Sequence, residues 1–431
     1  MARGLPGMAI LTVTGLYAQT LTVTPSRVLV DEPAAIRAAG LQPAEHVAVA
    51  AALIDGAGQH WRSEAEFVAD AHGNLDLSAQ APAKGSYHNV SGMGLIWSMM
   101  PAGKGVVIYR APPEPQAQKI DFQLIRDGAT VATAQLEQDP VGMGVRQVKV
   151  TGQLHGVMFW PAGDGPHAGV LVLGGSEGGV PRRRAAWLAS HGYAALALAY
   201  FHYENLPPQL EAIPLEYFGA ALTWMRERPE ISQDQIAVMG TSRGAELALQ
   251  LGSMYPQIKA VVAYAPANVR HRSCCGLNQY PFAWTWKGLP LGFVSRLGSG
   301  ADAGGATIQV EHTGGPILLI AGDQDHVWDS AGMAKSIEGR LKHAHFAPEA
   351  EMLIYPHAGH IAGRPEIVPE WHGALTHPIS GRPTDYGGTP EGNALSSIDA
   401  SPKVLEFLRR SLHPEPPLPD GRGSVTTSTP H

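Results

Sequence analysis

The chain has 431 residues, 44% hydrophobic and 16% charged, and a formal net charge of −7. That length buries a sizeable core, suggests two or three domains, and with this composition excludes a disordered chain. The acidic balance offers no basic face for nucleic-acid phosphates, so no nucleic-acid partner is expected.

No run of 18 apolar residues occurs, so no membrane-spanning helix is expected. The opening "MARGLPGMAILTVTGLYAQT" joins Arg3, an apolar stretch and Ala18. It reads either as a weak signal peptide over 1–19 or as a plain apolar segment, which leaves export and a cytoplasmic location both open. The first third then reads as β. "LTVTPSRVLV" (21–30) alternates, "HVAVAAALID" (46–55) ends in Asp-Gly-type turn signals, and "IDFQLIRDGATVATAQLEQ" (120–138) folds about Asp127-Gly128. A β-sandwich over 20–140 is the expectation.

After residue 140 the pattern changes. "RQVKV" and "LHGVMFWPAG" are still strand-like. Apolar runs without alternation follow: "AGVLVLGG" (168–175), "YAALALAY" (193–200), "QIAVMG" (235–240), "KAVVAYAP" (259–266), "PILLIAG" (316–322) and "EMLIYP" (351–356). Such runs are buried on both faces, as in a parallel sheet. Helix-like stretches separate them, beginning at Arg182, Leu215, Arg243 and Ser330. The alternation predicts a doubly wound, mostly parallel α/β domain over 145–412. Residues 267–315 lack a clear period and read as a lid or an insertion. Residues 413–431 read as a disordered tail. The only cysteines, Cys274 and Cys275, are adjacent. Their Cα spacing lies below the usual disulfide range, so no staple between them is expected, and they read as loop or packing residues.

The chemistry centres on "GTSRG", residues 240–244. A buried strand precedes Ser242 and an Ala/Leu-rich helix follows it, the strand–turn–helix context of a nucleophile elbow. A nucleophilic serine needs a base, and the base an orienting carboxylate. After "PILLIAG" come Asp323, Asp325 and Asp329, and the Gly-x-x-Asp spacing from Gly322 selects Asp325. After "EMLIYP" come His357 and His360, of which His360 follows Gly359 in the final-strand loop. The order Ser, Asp, His, each past a buried strand, is that of a hydrolase triad. No third ligand accompanies the two histidines, so no metal site is expected. The Arg243 N–H is the expected first oxyanion donor; the second is expected from "LGGSEGG" (173–179), at Ser176 or Glu177. Arg182, Arg183 and Arg184 open a helix as a solvated face or as a contact for the phosphates of an acyl carrier.

Taken together, "VDEPAAIRAAGLQP" (30–43), "GMGLIWSMMP" (92–101), "LGGSEGGV", "ALAYFHYENLPPQLEAIPLEYF" (197–218), "GTSRGAELAL", "GDQDHVWDS", "YPHAGH" and "GGTPEGNA" (387–394) resemble the acyl-CoA thioesterase / bile acid-CoA:amino acid N-acyltransferase family over about 20–412. The resemblance implies an immunoglobulin-like domain followed by an α/β-hydrolase domain. It places a triad on Ser242, Asp325 and His360 and calls for no metal or organic cofactor. In that family serine accompanies thioester hydrolysis and cysteine acyl transfer to an amine. The expected substrate is therefore a small-molecule acyl thioester, split through an acyl-enzyme. Acyl-CoA:amino acid N-acyl transfer, an exported carboxylesterase or peptidase on the same triad, and a non-catalytic binding protein are the alternatives. His357 stands where the family more usually has a small residue, and 267–315 is short, so chain-length preference and oligomeric state stay open.

Overall fold

The computed structural model describes residues 18–103, 108–113, 116–296, 305–370 and 374–412. The signal-like segment, apart from Ala18 and Gln19, and the tail beyond 412 lie outside the described residues. No described helix is long and apolar enough to cross a membrane.

The N-terminal region is built from β1 (Thr20–Thr24), β2 (Arg27–Leu29), β3 (Ala35–Ala39), β4 (His46–Ile54), β5 (His60–Val68), β6 (Leu75–Asp76), β7 (Gln118–Arg126) and β8 (Ala129–Asp139). One sheet runs β1-β3-β6 and the other β2-β8-β7-β4-β5. Alternation does the work: along β5, Trp61, Ser63, Ala65 and Phe67 point inward and their neighbours face water. Ile36, Val49, Trp61, Phe67, Phe122 and Leu124 from both sheets share one core. Asp127 and Gly128 both take positive φ, 51° and 77°, which matches the right-handed twist of the β7–β8 hairpin. The stretch 21–30 is not one strand. Pro25 has no N–H for the ladder, and the chain changes sheets there, β1 pairing with β3 and β2 with β8.

The second region holds β9 (Arg146–Val150), β10 (His155–Trp160), β11 (His167–Leu173), β12 (Ala194–Ala199), β13 (Ile231–Thr241), β14 (Ile258–Tyr264), β15 (Ile317–Gly322) and β16 (Ala350–Tyr355). They form one sheet in the order β9-β10-β12-β11-β13-β14-β15-β16. β10 runs antiparallel to both neighbours, and the strands from β12 to β16 are parallel. The helices are α1 (Arg182–Ser190), α2 (Glu216–Arg226), α3 (Arg243–Gly252), α4 (Ser330–His343) and α5 (Pro390–Leu412). Phe218, Leu247 and Ile337 of α2, α3 and α4 pack on one face. Trp187, Val404 and Phe407 of α1 and α5 pack on the other. This is the three-layer α/β-hydrolase arrangement, with the site at the carboxyl ends of the parallel strands. Helix α5 carried no clear sequence signal, because Pro402 and a run of serines interrupt it. Buried Ser397 and Ser401 answer their own desolvation by donating to carbonyls one turn back.

The described part of 267–315 is packed against the rest of the chain, and one expectation changes, at its cysteines. Trp284, Val269, Ile308 and Val310 are buried, and Trp284–Trp286 pairs with Ile213–Pro214. Cys274 and Cys275 are disulfide-bonded, with Cα atoms 3.7 Å apart. Cys275 takes a φ of +83°, a conformation the usual-range argument did not consider. The bond closes a small ring within the loop and joins no distant segments.

The two regions are hydrogen-bonded together. The Trp187 indole donates to Asp31 Oδ2 at 2.8 Å, and His191 Nε2 lies 2.9 Å from the same oxygen. Asp31→Ala strands the buried indole N–H and is expected to cost about 1–3 kcal/mol. Denaturant unfolding checks this; an unchanged midpoint and slope would show that the contact contributes nothing.

Candidate active site

Ser242 is the turn residue between β13 and α3, with φ 57° and ψ −121°. That left-handed backbone is costly for a residue with a Cβ and survives only because its surroundings fix it. Two glycines make it feasible. A Cβ at Gly240 would meet the Gly244 carbonyl, and one at Gly244 would meet the Gly174 carbonyl. The Ser242 N–H donates to Tyr264 O at 2.8 Å, which ties the turn to β14.

Three of the sequence-selected side chains meet. His360 Nε2 is 2.8 Å from Ser242 Oγ, and His360 Nδ1 is 2.8 Å from Asp325 Oδ2. Ser242 is 7% exposed, His360 4%, and the Asp325 side chain 1%. Asp325 is held by its other oxygen, Oδ1, which accepts the N–H groups of Val327 at 2.9 Å and Trp328 at 3.1 Å. A carboxylate on Nδ1 keeps that nitrogen's proton in place, so Nε2 is free to accept from a hydroxyl. The His360 ring is walled by Trp328 at 5.3 Å and Tyr386 at 5.8 Å, and the His360 backbone N–H donates to Tyr386 O at 2.7 Å.

The other candidates do different jobs. Asp323 Oδ1 accepts the His357 N–H at 2.6 Å, and Asp329 caps α4 through the Gly332 N–H at 2.8 Å. His357 pairs with Gln324 Nε2 at 3.0 Å and stays outside the line. Arg243 opens α3, whose first helical bonds run from the Ala245 and Glu246 N–H groups to Ser242 O. Its N–H therefore belongs to the turn that has no intrahelical acceptor. In the loop after β11, the Gly175 N–H is taken by Glu177 Oε1 at 3.0 Å. The N–H groups of Ser176 and Glu177 donate to no described acceptor. Tyr200 anchors the loop's root by donating to Gly174 O at 2.6 Å. The three arginines separate: Arg182 lies over Phe159, Arg184 lies over Tyr264 at 3.8 Å, and Arg183 borders a cavity of about 180 Å³. That cavity lies between the two regions and is walled by Tyr109, Trp187, Ile361 and Tyr386.

Sequence reasoning missed a second buried cluster. Glu246 accepts from Arg243 Nη2 at 3.2 Å, the His271 backbone N–H at 3.2 Å and Trp284 Nε1 at 2.7 Å. Its Oε2 also lies 2.8 Å from His271 Nδ1. His271 stacks on Trp328 at 5.1 Å, the ring that walls His360. It also missed His377, 3.0 Å from Ser176 Oγ through Nε2. Neither sits at a motif spacing.

A family model for the acyl-CoA thioester hydrolase/BAAT N-terminal region matches residues 31–152. One for the BAAT / acyl-CoA thioester hydrolase C terminal matches 213–283 and 295–414. Acyl-coenzyme A thioesterase 1 of Rattus norvegicus is 33% identical over 410 residues, 91% of this chain and 97% of its own. Acyl-coenzyme A thioesterase 5 of Mus musculus is 31% identical over 400 residues, 89% and 94% of the two chains. Among solved structures, a dienelactone hydrolase-like promiscuous phosphotriesterase from metagenomic libraries is similar at 17% identity and a TM-score of 0.40, over 62% of this chain and 98% of its own. With both regions matched and relatives above 30% aligned along most of its length, the chain belongs to the acyl-CoA thioester hydrolase/BAAT family.

Proposed function

We propose that the protein hydrolyses acyl-CoA thioesters through an acyl-enzyme on Ser242. The hydrogen-bonded line Asp325–His360–Ser242 carries this reading. His360 Nε2 takes the Ser242 proton as Oγ attacks the thioester carbonyl. Asp325 holds the ring and stabilises the imidazolium that forms. The developing oxyanion is met by the Arg243 N–H and by the uncommitted N–H of Ser176 or Glu177. Collapse breaks the C–S bond, His360 returns its proton to the departing thiolate, and the acyl group is left as an ester on Ser242. Water, deprotonated by His360, then releases the carboxylic acid. An acyl ester is intercepted by an amine less readily than an acyl thioester, so a serine at 242 favours hydrolysis over amino acid N-acylation.

The substrate class follows from relatives that are themselves named acyl-coenzyme A thioesterases. Purified protein is expected to release free thiol from acyl-CoAs of some chain length, and Ser242→Ala is expected not to. Turnover of p-nitrophenyl esters with no thiol release from any acyl-CoA would favour the exported-carboxylesterase alternative. Acyl-glycine or acyl-taurine formation exceeding free acid would favour transfer.

A further inference from the structure

The loop that carries the Ser176 and Glu177 N–H groups is held at Ser176 by a side chain from a distant segment. His377 lies 201 residues beyond Ser176, after the strand Ala374–Thr376 of a hairpin closed by Pro383–Asp385. It is 8% exposed, and its Nε2 lies 3.0 Å from Ser176 Oγ. Its Nδ1 accepts two backbone N–H groups, from Ile379 at 3.3 Å and Ser380 at 3.2 Å. A neutral imidazole carries one proton; with Nδ1 accepting, that proton is on Nε2 and is donated to Ser176 Oγ. Burial favours this neutral form. His377 therefore cannot remove a proton from Ser176, and the pair is not a second nucleophile–base couple. It is a rigid tie.

The far end of the same segment reaches the base and its carboxylate. Asp385 Oδ2 lies 2.8 Å from His326 Nδ1, one residue after Asp325. Tyr386 O accepts the His360 N–H, and Gly387 bridges to Asp325. The segment 377–388 thus spans from the Ser176 loop to the Asp325 and His360 loops. Within the Ser176 loop, Glu177 fixes Gly175 from inside, so His377 is the tie that reaches Ser176 from across the site.

We infer that His377 is a positioning residue: by donating to Ser176 Oγ it sets the N–H groups of Ser176 and Glu177 against the Ser242–His360 pair. The inference rests on the proposed Ser242 mechanism. A displaced donor costs less than a deleted one, and a shift of about 1 Å at a reacting centre costs up to about 100-fold.

The test compares His377→Ala, His377→Gln and Ser176→Ala in the full-length protein. It measures kcat and KM for an acyl-CoA the native protein hydrolyses, and inhibition by a trifluoromethyl ketone of matching chain, whose adduct places an oxyanion at the same point. His377→Ala and Ser176→Ala are each expected to lower kcat about 10- to 100-fold with KM within about twofold. Ketone affinity is expected to fall in parallel, and the double variant to be no worse than the singles. His377→Gln, whose amide N–H can replace Nε2–H, is expected to restore most of the rate. Native kcat in both alanine variants, a kcat loss with unchanged ketone affinity, or a glutamine variant no better than alanine would overturn it. Ser176→Ala keeps the main chain intact and decides the matter should His377→Ala fold poorly. Ser242→Ala is run alongside: native activity there sinks the mechanism itself, whereas its inactivity with an unaffected His377→Ala sinks only this inference.

Discussion

Replacing Ser242 by alanine is expected to lower kcat/KM for acyl-CoA hydrolysis by about 10³-fold or more while leaving thermal stability nearly unchanged. The two halves of that result have separate causes. Oγ is the only atom lost, and it is the atom 2.8 Å from His360 Nε2. It makes no capping bond to α3, so the helix loses no partner. Alanine also has a Cβ, so the backbone cost of φ 57° is the same before and after. Residual turnover would come from the oxyanion donors and substrate binding, which remain. His360→Ala added to Ser242→Ala is expected to cost little more, because residues that act as one unit are not additive. Thiol-release kinetics with a melting curve on each variant reads both halves. More than a tenth of native activity in Ser242→Ala would exclude Ser242 as the nucleophile. A collapse in melting temperature would make the rate loss uninterpretable as chemistry, and Ser242→Cys would then be used to ask whether a thiol at the same point can be acylated.

What was legible beforehand follows a physical divide. Strands buried on both faces announce themselves as apolar runs, as in β11 to β15, whereas β16, at the sheet edge, is apolar but only half-buried. A residue just past such a run is placed at the carboxyl edge of the sheet by topology alone, which is why Ser242, Asp325 and His360 could be picked and why they lie together. Among the three aspartates, Gly-x-x-Asp spacing separated Asp325 from a turn residue and a helix cap. The remaining features depend on contacts between distant segments with no period of their own. His377 meets Ser176 across 201 residues, and Glu246 meets His271 across 25. Helix α5 was hidden by Pro402 and its serines, whose propensity argues against helix while burial and back-bonding permit it. The vicinal disulfide was argued away from average Cα spacing, when the local backbone at Cys275 decides whether adjacent sulfurs can meet.

The largest stability effect is expected at Glu246. It is 0% exposed, and its two oxygens are shared among Arg243, His271 and Trp284. Glu246→Ala leaves the Arg243 guanidinium in the interior on the carbonyls of His271 and Arg272 alone, and strands the Trp284 indole N–H. Breaking one partner of a buried charge pair costs about 3–5 kcal/mol. Burial by itself would raise the Glu246 carboxyl, but the Arg243 charge and the donors from His271 and Trp284 outweigh it, so the group titrates below the usual carboxylate range. A depressed folded-state pKa stabilises the fold above the unfolded value, roughly pH 4.3, and that contribution is lost as pH falls through the folded value. The gap between native protein and Glu246→Ala is therefore expected to be full at pH 7 and to narrow below about pH 4. Denaturant melts at pH 7, 5 and 3.5 measure it. An equal gap at all three values would mean the effect is cavity formation and not the buried charge. Activity should fall with stability, because Arg243 carries the N–H proposed to meet the oxyanion and the same cluster supports Trp328 against His360.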